Sequence, residues 1–441
     1  MRRNLSKLAD GIWSIWNKRN DARIAAPIAM WRRRIATGVG AILLGLVALL
    51  FAKTGDLAQQ AFGRVAAVWP FLPLALTPAI FALVALVTGR MAPDARGSGI
   101  PQVIAASQDP EESSEGALLS LRTAGAKFVL TAAMLFAGAS VGREGPTVQI
   151  SAALMVWVHR LLRVPITAGV IIAGGAAGVS AAFNTPLAGV AFAIEELASA
   201  YEQRVAVLVM GAVMVAGLVS LGISGDYVYF GTMRQTLNLS SVLLISPVAG
   251  VVGGIAGGLF TRIVLSFASH AHPRLSFLRS RPVLFATGCG VVVAALGFAT
   301  GGGTWGTGYA TTKLLVEGHG ATLWFGPAKA IAALATTLSG APGGIFAPSL
   351  AVGAGVGNIL SSIFPHTPAG AIVVLGMVAY FTGVVRAPLT AVIIIAETTA
   401  SRGMILPLFA TALIADGVSA LVSREKLYHG LAKQFLTRDD I

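Results

Sequence analysis

The sequence predicts an all-α polytopic membrane protein with broken helices. Three observations predict it: the scarcity of charge, the length of the uncharged runs, and an internal repeat built on glycine and proline turns. Of 441 residues, 55% are hydrophobic and 12% are charged. A soluble domain carries about 25% charged residues. Mean hydropathy is +0.77. Glycine contributes 52 residues, well above the usual share of about 7%, as close helix packing in a bilayer requires. The single cysteine, Cys289, excludes an intramolecular disulfide and a cysteine metal cluster.

The uncharged runs set the number of crossings. A spanning helix needs about 20 apolar residues. Arg34 to Lys53 and Arg64 to Arg90 each enclose one such run. No Asp, Glu, Lys or Arg occurs from Val164 to Ile194, or in the 56 residues from Ala330 to Val385, so each of these runs holds more than one helix. Phe128 to Gly142 and Gly145 to Val158 are shorter and read as half-helices or reentrant segments. Irregular backbone at membrane depth is tolerated where it is buried in protein or lines a polar cavity. Short segments broken by Gly and Pro point to a transport site.

The net charge of +13 is too thinly spread for a nucleic-acid face. Residues 1–34 hold nine basic side chains against two acids, a net +7. No apolar core before a cleavage site marks them as a signal peptide. Leu5, Leu8, Ile12, Trp13, Ile15 and Trp16 lie near helical spacing, which suits a helix in the membrane interface. The basic bias places this end in the cytoplasm. The expected organisation is a basic N-terminal segment over 1–34, a first transmembrane half over 35–225, and a second over 226–441. A short tail with mixed charges (Arg424, Glu425, Lys426, Lys433, Arg438, Asp439, Asp440) closes the chain, and no soluble domain is expected after it.

The two halves are related by a shift of 202 residues. Gly138, Ala139, Gly142 and Pro146 meet Gly340, Ala341, Gly344 and Pro348, and Thr147 meets Ser349. At the same shift Gly174 meets Gly376, Pro186-Leu187 meets Pro388-Leu389, Val190 meets Val392 and Glu195 meets Glu397. Such duplication places a transport site at the interface of the halves. Their relative orientation is open at this level.

Three Gly-x-x-x-Pro turns are candidate sites: Gly97-Ser-Gly99-Ile-Pro101, Gly142-Arg-Glu-Gly145-Pro146 and Gly344-Ile-Phe-Ala-Pro348. Each precedes an apolar stretch, and each proline reads as a helix start. The freed N–H groups and the positive end of the helix dipole then form an anion site without a full positive charge. Partial charges bind an anion weakly enough to release it. The alternative is three helix breaks that only shape the fold.

In this order and spacing the three turns resemble the signature motifs of the CLC chloride channel and transporter family, and the match is similar to its bacterial chloride/proton exchangers. The resemblance covers the chain from about residue 30 to the end. It implies two inverted repeats of tilted, broken helices around a central anion site, in a homodimer with one pathway per subunit. It implies that the hydroxyls of Ser98 and Tyr428 and the backbone N–H groups of Ile345 and Phe346 hold the central anion. Those of Arg143, Glu144 and Gly145 would hold an outer one.

Glu144 resembles the family's gating glutamate. A carboxylate can occupy an anion site, and protonation removes its charge; the alternative is a helix-capping acid. Glu196 resembles the inner proton-transfer glutamate. Its neighbour Glu195 has a repeat partner in Glu397 and reads as structural. The partner of Glu196 is Thr398, and its alternative role is a solvated helix end. The family's usual acid after the first motif is replaced by Gln102, and Ile104 also replaces an acid. Lys127 would therefore lack its usual acidic neighbour. Ser98 suits chloride rather than nitrate, and the second and third motifs differ from the fluoride-exporting branch.

Other classes are disfavoured. The histidines His159, His270, His272, His319, His366 and His429 show no HExxH spacing, and His270 with His272 reads as loop. There is no nucleophile elbow and no Walker loop. Gly353-Ala-Gly-Val-Gly357 and Gly254-Ile-Ala-Gly-Gly258 read as helix packing. Asp109, Glu111, Glu112 and Glu115 read as a solvated loop. The expected function is secondary-active chloride/proton antiport in the inner membrane, without cofactor or metal. A proton-gated passive chloride channel is the first alternative and an intramembrane enzyme the second.

Overall fold

The computed structural model describes residues 2–111, 116–198, 203–225, 228–233, 235–269 and 276–436; side chains are described from Met30 onward, apart from those of 203–205, 276 and 402. Glu112, Glu115, His270, His272, Arg438, Asp439, Asp440 and the apolar side chains expected on the N-terminal interfacial helix lie outside the described residues.

Helices account for the fold. The first half comprises α1 (Arg2–Val68), α2 (Pro73–Met91), α3 (Ile100–Gln108), α4 (Leu121–Phe136), α5 (Glu144–Leu161), α6 (Ala168–Phe183), α7 (Pro186–Phe192) and α8 (Gln203–Ser224). The second comprises α9 (Leu239–Ala268), α10 (Ser276–Ser280), α11 (Pro282–Ala299), α12 (Tyr309–Val316), α13 (Phe325–Leu338), α14 (Phe346–Ile363), α15 (Ala369–Val385), α16 (Pro388–Thr398), α17 (Ile405–Val422) and α18 (Leu427–Leu436). Among the described residues seven helices are long and apolar enough to cross a membrane. The chain is a multi-pass membrane protein.

The runs read as half-helices lie within α4 and α5, of 16 and 18 residues, and neither is among the seven helices long and apolar enough to cross a membrane. At 1.5 Å per residue α5 spans about 27 Å. Its helix continues through His159 and Arg160 because His159 is buried and held by contacts to Thr37 and to the Met155 carbonyl. The short helices are α3, α7, α10, α12, α16 and α18, of 5 to 11 residues. Backbone helix runs unbroken through residue 34, since α1 extends from Arg2 to Val68.

The repeat extends further than one shift reveals. Pairs α5/α14 and α4/α13 keep the shift of 202 at their ends, Leu161 with Ile363 and Phe136 with Leu338. Pro73 of α2 meets Pro282 of α11, and Ile100 of α3 meets Tyr309 of α12, at a shift of 209. The difference falls between α3 and α4, where the first half has the longer connection.

Backbone bonds between the halves are reciprocal. Gly97 N–H donates to Gly340 C=O at 3.2 Å, and its repeat mate Gly306 donates to Gly138 C=O at 3.2 Å. Gly142 and Gly344 exchange both hydrogen bonds at 2.7 Å in an antiparallel bridge. Reciprocity of this kind is the mark of a two-fold axis, not of a translation. The antiparallel bridge leads directly into α5 and α14, so the halves are inverted.

Small residues let the helices approach. A methyl on Gly257 would lie 2.6 Å from the backbone nitrogen of Val384, and one on Gly353 would lie 2.6 Å from the Cα of Met377. Gly357 likewise abuts Val373, so both glycine stripes read from the sequence are packing surfaces. Gly257→Val should therefore destabilise the protein by about 1–3 kcal/mol through overpacking. Gly89→Ala, with nothing within 4 Å, should not. Thermal unfolding in detergent checks the pair.

Candidate functional site

Three helix N-termini converge where the halves meet. α3 follows the Gly97 turn, and Gly99 caps it in the left-handed region at φ 102°. A methyl on Gly99 would lie 2.9 Å from the carbonyl oxygen of Gly145, so glycine is required there for both conformation and space. α5 begins at Glu144 and α14 at Phe346. The prolines sit slightly deeper than expected. Pro101 is the second residue of α3, and Pro146 and Pro348 are the third residues of α5 and α14. First-turn nitrogens have no intrahelical acceptor, so proline is accommodated at these positions too.

The predicted residues gather into one buried region. Ser98 and Arg143 are 5% exposed, Ile345 is 4%, and Glu144, Phe346 and Tyr428 are fully buried. The Ser98 hydroxyl lies against Gly145, where a methyl would overlap it and approach the Cα of Gly344 to 3.3 Å. The Tyr428 hydroxyl faces the Ser98 hydroxyl, yet neither makes a well-aligned hydrogen bond to the protein. The Tyr428 ring packs on Phe346 at 6.0 Å between centroids, and Phe381 holds the other side of Phe346 edge-on at 4.9 Å. Tyr428 is thus a buried site wall and not an interfacial aromatic.

The Glu144 carboxylate folds back over Gly142, at the position a Cβ there would take. It faces the backbone N–H groups of Arg143, Glu144 and Ala347, which belong to the starts of α5 and α14. Neither oxygen makes an aligned hydrogen bond. The Arg143 side chain turns outward, donating to the Ala52 carbonyl at 2.7 Å and to Asp56 at 2.7 Å. It also lies 5.7 Å over the Tyr229 ring.

Glu195 and Glu196 separate as expected. They lie in one π turn, Ala193–Leu197, that extends α7. Such turns re-aim neighbouring side chains. Glu195 accepts from the N–H groups of Leu389 and Thr390 at 3.1 and 2.7 Å, at the start of α16. Glu397 accepts from Leu187 and Ala188 at 3.3 and 2.9 Å, at the start of α7. The two acids cap each other's repeat. Glu196 points elsewhere, and its side chain is fully buried, so it is no solvated helix end. Its Oε1 lies 3.3 Å from Nδ1 of His429.

The departures around Lys127 have a structural answer. Its fully buried ammonium donates to the carbonyls of Gly97 and Arg96 at 2.8 and 3.2 Å. Gln102 donates to the carbonyls of Arg96 and Asp94, so the turn before α3 is held by neutral acceptors in place of an acid. Ile104 is buried among apolar neighbours. Asp109 and Glu111 are exposed.

Sequence reasoning missed three residues. Lys329 is the repeat mate of Lys127 at the shift of 202; it is fully buried and donates to the Thr304 and Gly306 carbonyls at 2.9 and 2.6 Å. Comparing lysines at the known shift would have found it. Thr307 corresponds to Ser98 at the shift of 209, and both its N–H and hydroxyl donate to Gln59. His429 has no sequence signal beyond standing next to Tyr428.

The class is now defined: a membrane protein of two inverted halves, with helix N-termini converging on a buried polar centre. A family model described as voltage gated chloride channel matches residues 80–420, and the chain belongs to that family. It is 30% identical to the H(+)/Cl(-) exchange transporter ClcA of Yersinia pestis bv. Antiqua (strain Angola), over 92% of this chain and 88% of that protein. The transporter of the same name from Yersinia pseudotuberculosis serotype O:3 (strain YPIII) gives the same figures. Among solved structures, a slow cyanobacterial Cl-/H+ antiporter matches with a TM-score of 0.78 at 23% identity, over 93% of this chain and 99% of that one. A CLC-type fluoride/proton antiporter matches with a TM-score of 0.76 at 20% identity, over 89% and 96%. Both structures share the fold.

The reciprocal caps make a prediction. Glu195→Ala and Glu397→Ala each leave two N–H groups without their acceptor, and each should cost about 1–3 kcal/mol. Thermal unfolding in detergent should give similar losses for the two, because the pseudo-two-fold makes their surroundings alike.

Proposed function

We propose that the chain is a secondary-active chloride/proton antiporter. The observation that carries this reading is the fully buried Glu144 carboxylate, facing backbone N–H groups from the first turns of both α5 and α14. The names of the relatives at 30% identity support it.

Chloride is the substrate at the centre. The hydroxyls of Ser98 and Tyr428 and the N–H groups of Ile345 and Phe346 are neutral donors that bind it without a formal cation. The N–H groups of Arg143, Glu144 and Gly145 form the outer station. The Glu144 carboxylate competes with chloride for that station. When protonated it loses its hold on the N–H groups and swings aside. Chloride entry and proton uptake are thereby linked at one residue. Glu196 carries protons on the inner side, apart from the anion ligands. Gly97, Gly99, Gly142 and Gly344 hold the turns, and Pro101, Pro146 and Pro348 sit in the first turns of α3, α5 and α14.

The protein acts as a homodimer in the inner membrane, with residues 1–34 cytoplasmic. The halves divide at about 225, between α8 and α9. Lipid and a second copy of the chain are its partners; nucleic acid, metal and cofactor play no part.

Proteoliposomes with simultaneous chloride and pH recording test the reading. A chloride gradient should drive protons uphill. Chloride flux without proton movement would establish the passive channel, and no flux would reopen the enzyme alternative. Glu144→Ala should keep chloride flux and abolish proton coupling; coupling that survives this change refutes the gating role. Glu196→Val should stop proton movement while chloride still passes. An unchanged proton rate in that variant rules out its transfer role.

A further inference from the structure

Glu196 has no exposed side-chain surface, so a proton from the inner solution needs a carrier to reach it. His429 meets the requirement. Its Nδ1 is buried 3.3 Å from Oε1 of Glu196, while 42% of its side chain is exposed. It lies on α18, just after Arg424, Glu425 and Lys426, and the exposed Lys433–Glu425 ion pair at 2.8 Å marks this surface as facing water.

We propose that His429 is the proton carrier between the inner solution and Glu196; this rests on the proton-transfer role given to Glu196 above. The imidazolium gives its Nδ1 proton to Oε1, leaving a neutral ring protonated at Nε2 and a neutral Glu196. A turn about the Cβ–Cγ bond brings Nδ1 into water, where it takes up the next proton. A separation of 3.3 Å closes to transfer distance with a small ring movement.

Among the described residues, no other charged group bonds to Glu196. Lys426 and Glu195 act on Glu196 only through charge. Glu195 is committed to the N–H groups of α16. Of the elements packed on α18, α9 presents Leu265 against Gly430, and the turn before α3 presents Arg96, which binds Gln434 at 2.8 Å. Glu425 pairs with Lys433. Tyr428, the preceding residue, points to the anion centre through Ser98.

The test compares His429→Gln, which keeps size and polarity but carries no proton, with His429→Glu, which carries one. Proton transport into full-length protein in proteoliposomes is measured against inner pH, with Glu196→Gln as reference. A positioned acid–base group contributes roughly a hundredfold or more, and water can replace part of it. The expected loss in His429→Gln is therefore about tenfold, with an altered inner-pH profile, while His429→Glu keeps most of the rate. A purely structural role would not separate Glu from Gln in this way. If Glu196→Gln stops protons and His429→Gln transports them at the native rate, the carrier role is overturned and the role of Glu196 stands. If Glu196→Gln itself still moves protons, the role of Glu196 fails and the carrier role fails with it.

Discussion

The exchange of two hydrogen bonds between Gly142 and Gly344 is the constraint on which the centre of this protein depends. It sets the starts of α5 and α14 head to head. Two helix N-termini bring two partial positive charges together, an arrangement that by itself repels. A buried negative group or anion between them turns that cost into binding. The bridge leaves little room for a side chain, because a methyl on Gly344 would lie 3.0 Å from both the Gly142 oxygen and the Gly145 nitrogen. Backbone rather than side chains therefore makes the junction, and the N–H groups remain aimed inward.

The scaffold obeys the two-fold, and the chemistry breaks it. Lys127 and Lys329, Gly97 and Gly306, and Glu195 and Glu397 keep equivalent contacts in both halves. These residues hold turns and helix starts. The residues with proposed transport roles have unlike mates. Glu144 corresponds to Phe346, Glu196 to Thr398, and Ser98, whose hydroxyl lacks an aligned protein partner, to Thr307, which Gln59 binds at 2.9 and 3.2 Å. The frame is shared by both halves, and these positions differ between them.

Charge inside the protein is handled by backbone. Each buried lysine donates to two carbonyls, and among the described residues neither pairs with an acid. Bonded this way, each ammonium tightens the glycine turn that carries Ser98 or Thr307. Gln102 joins the first of these sets, so its substitution for an acid leaves the turn supported. The adjacent acids Glu195 and Glu196 then serve two different ends: one caps a helix of the other half, and the other stands buried beside a histidine.

Much of this protein was legible in its sequence. Charge-free runs determine the membrane class, because a buried charge is costly in hydrocarbon. The duplicated Gly142 and Gly344 turns determine where the halves meet, because few residues permit so close a backbone approach. The pairing of Glu195 with Glu397 at one shift separates it from Glu196. Other features needed the tertiary structure. The lengths of α4 and α5 exceed the charge-free runs because the protein itself buries His159 and satisfies the Lys127 ammonium with backbone carbonyls at helical positions. Inversion of the halves rests on reciprocal contacts, which a linear shift does not contain. The contact of His429 with Glu196 joins residues 233 positions apart, and only the packing of α18 against the first half could decide it.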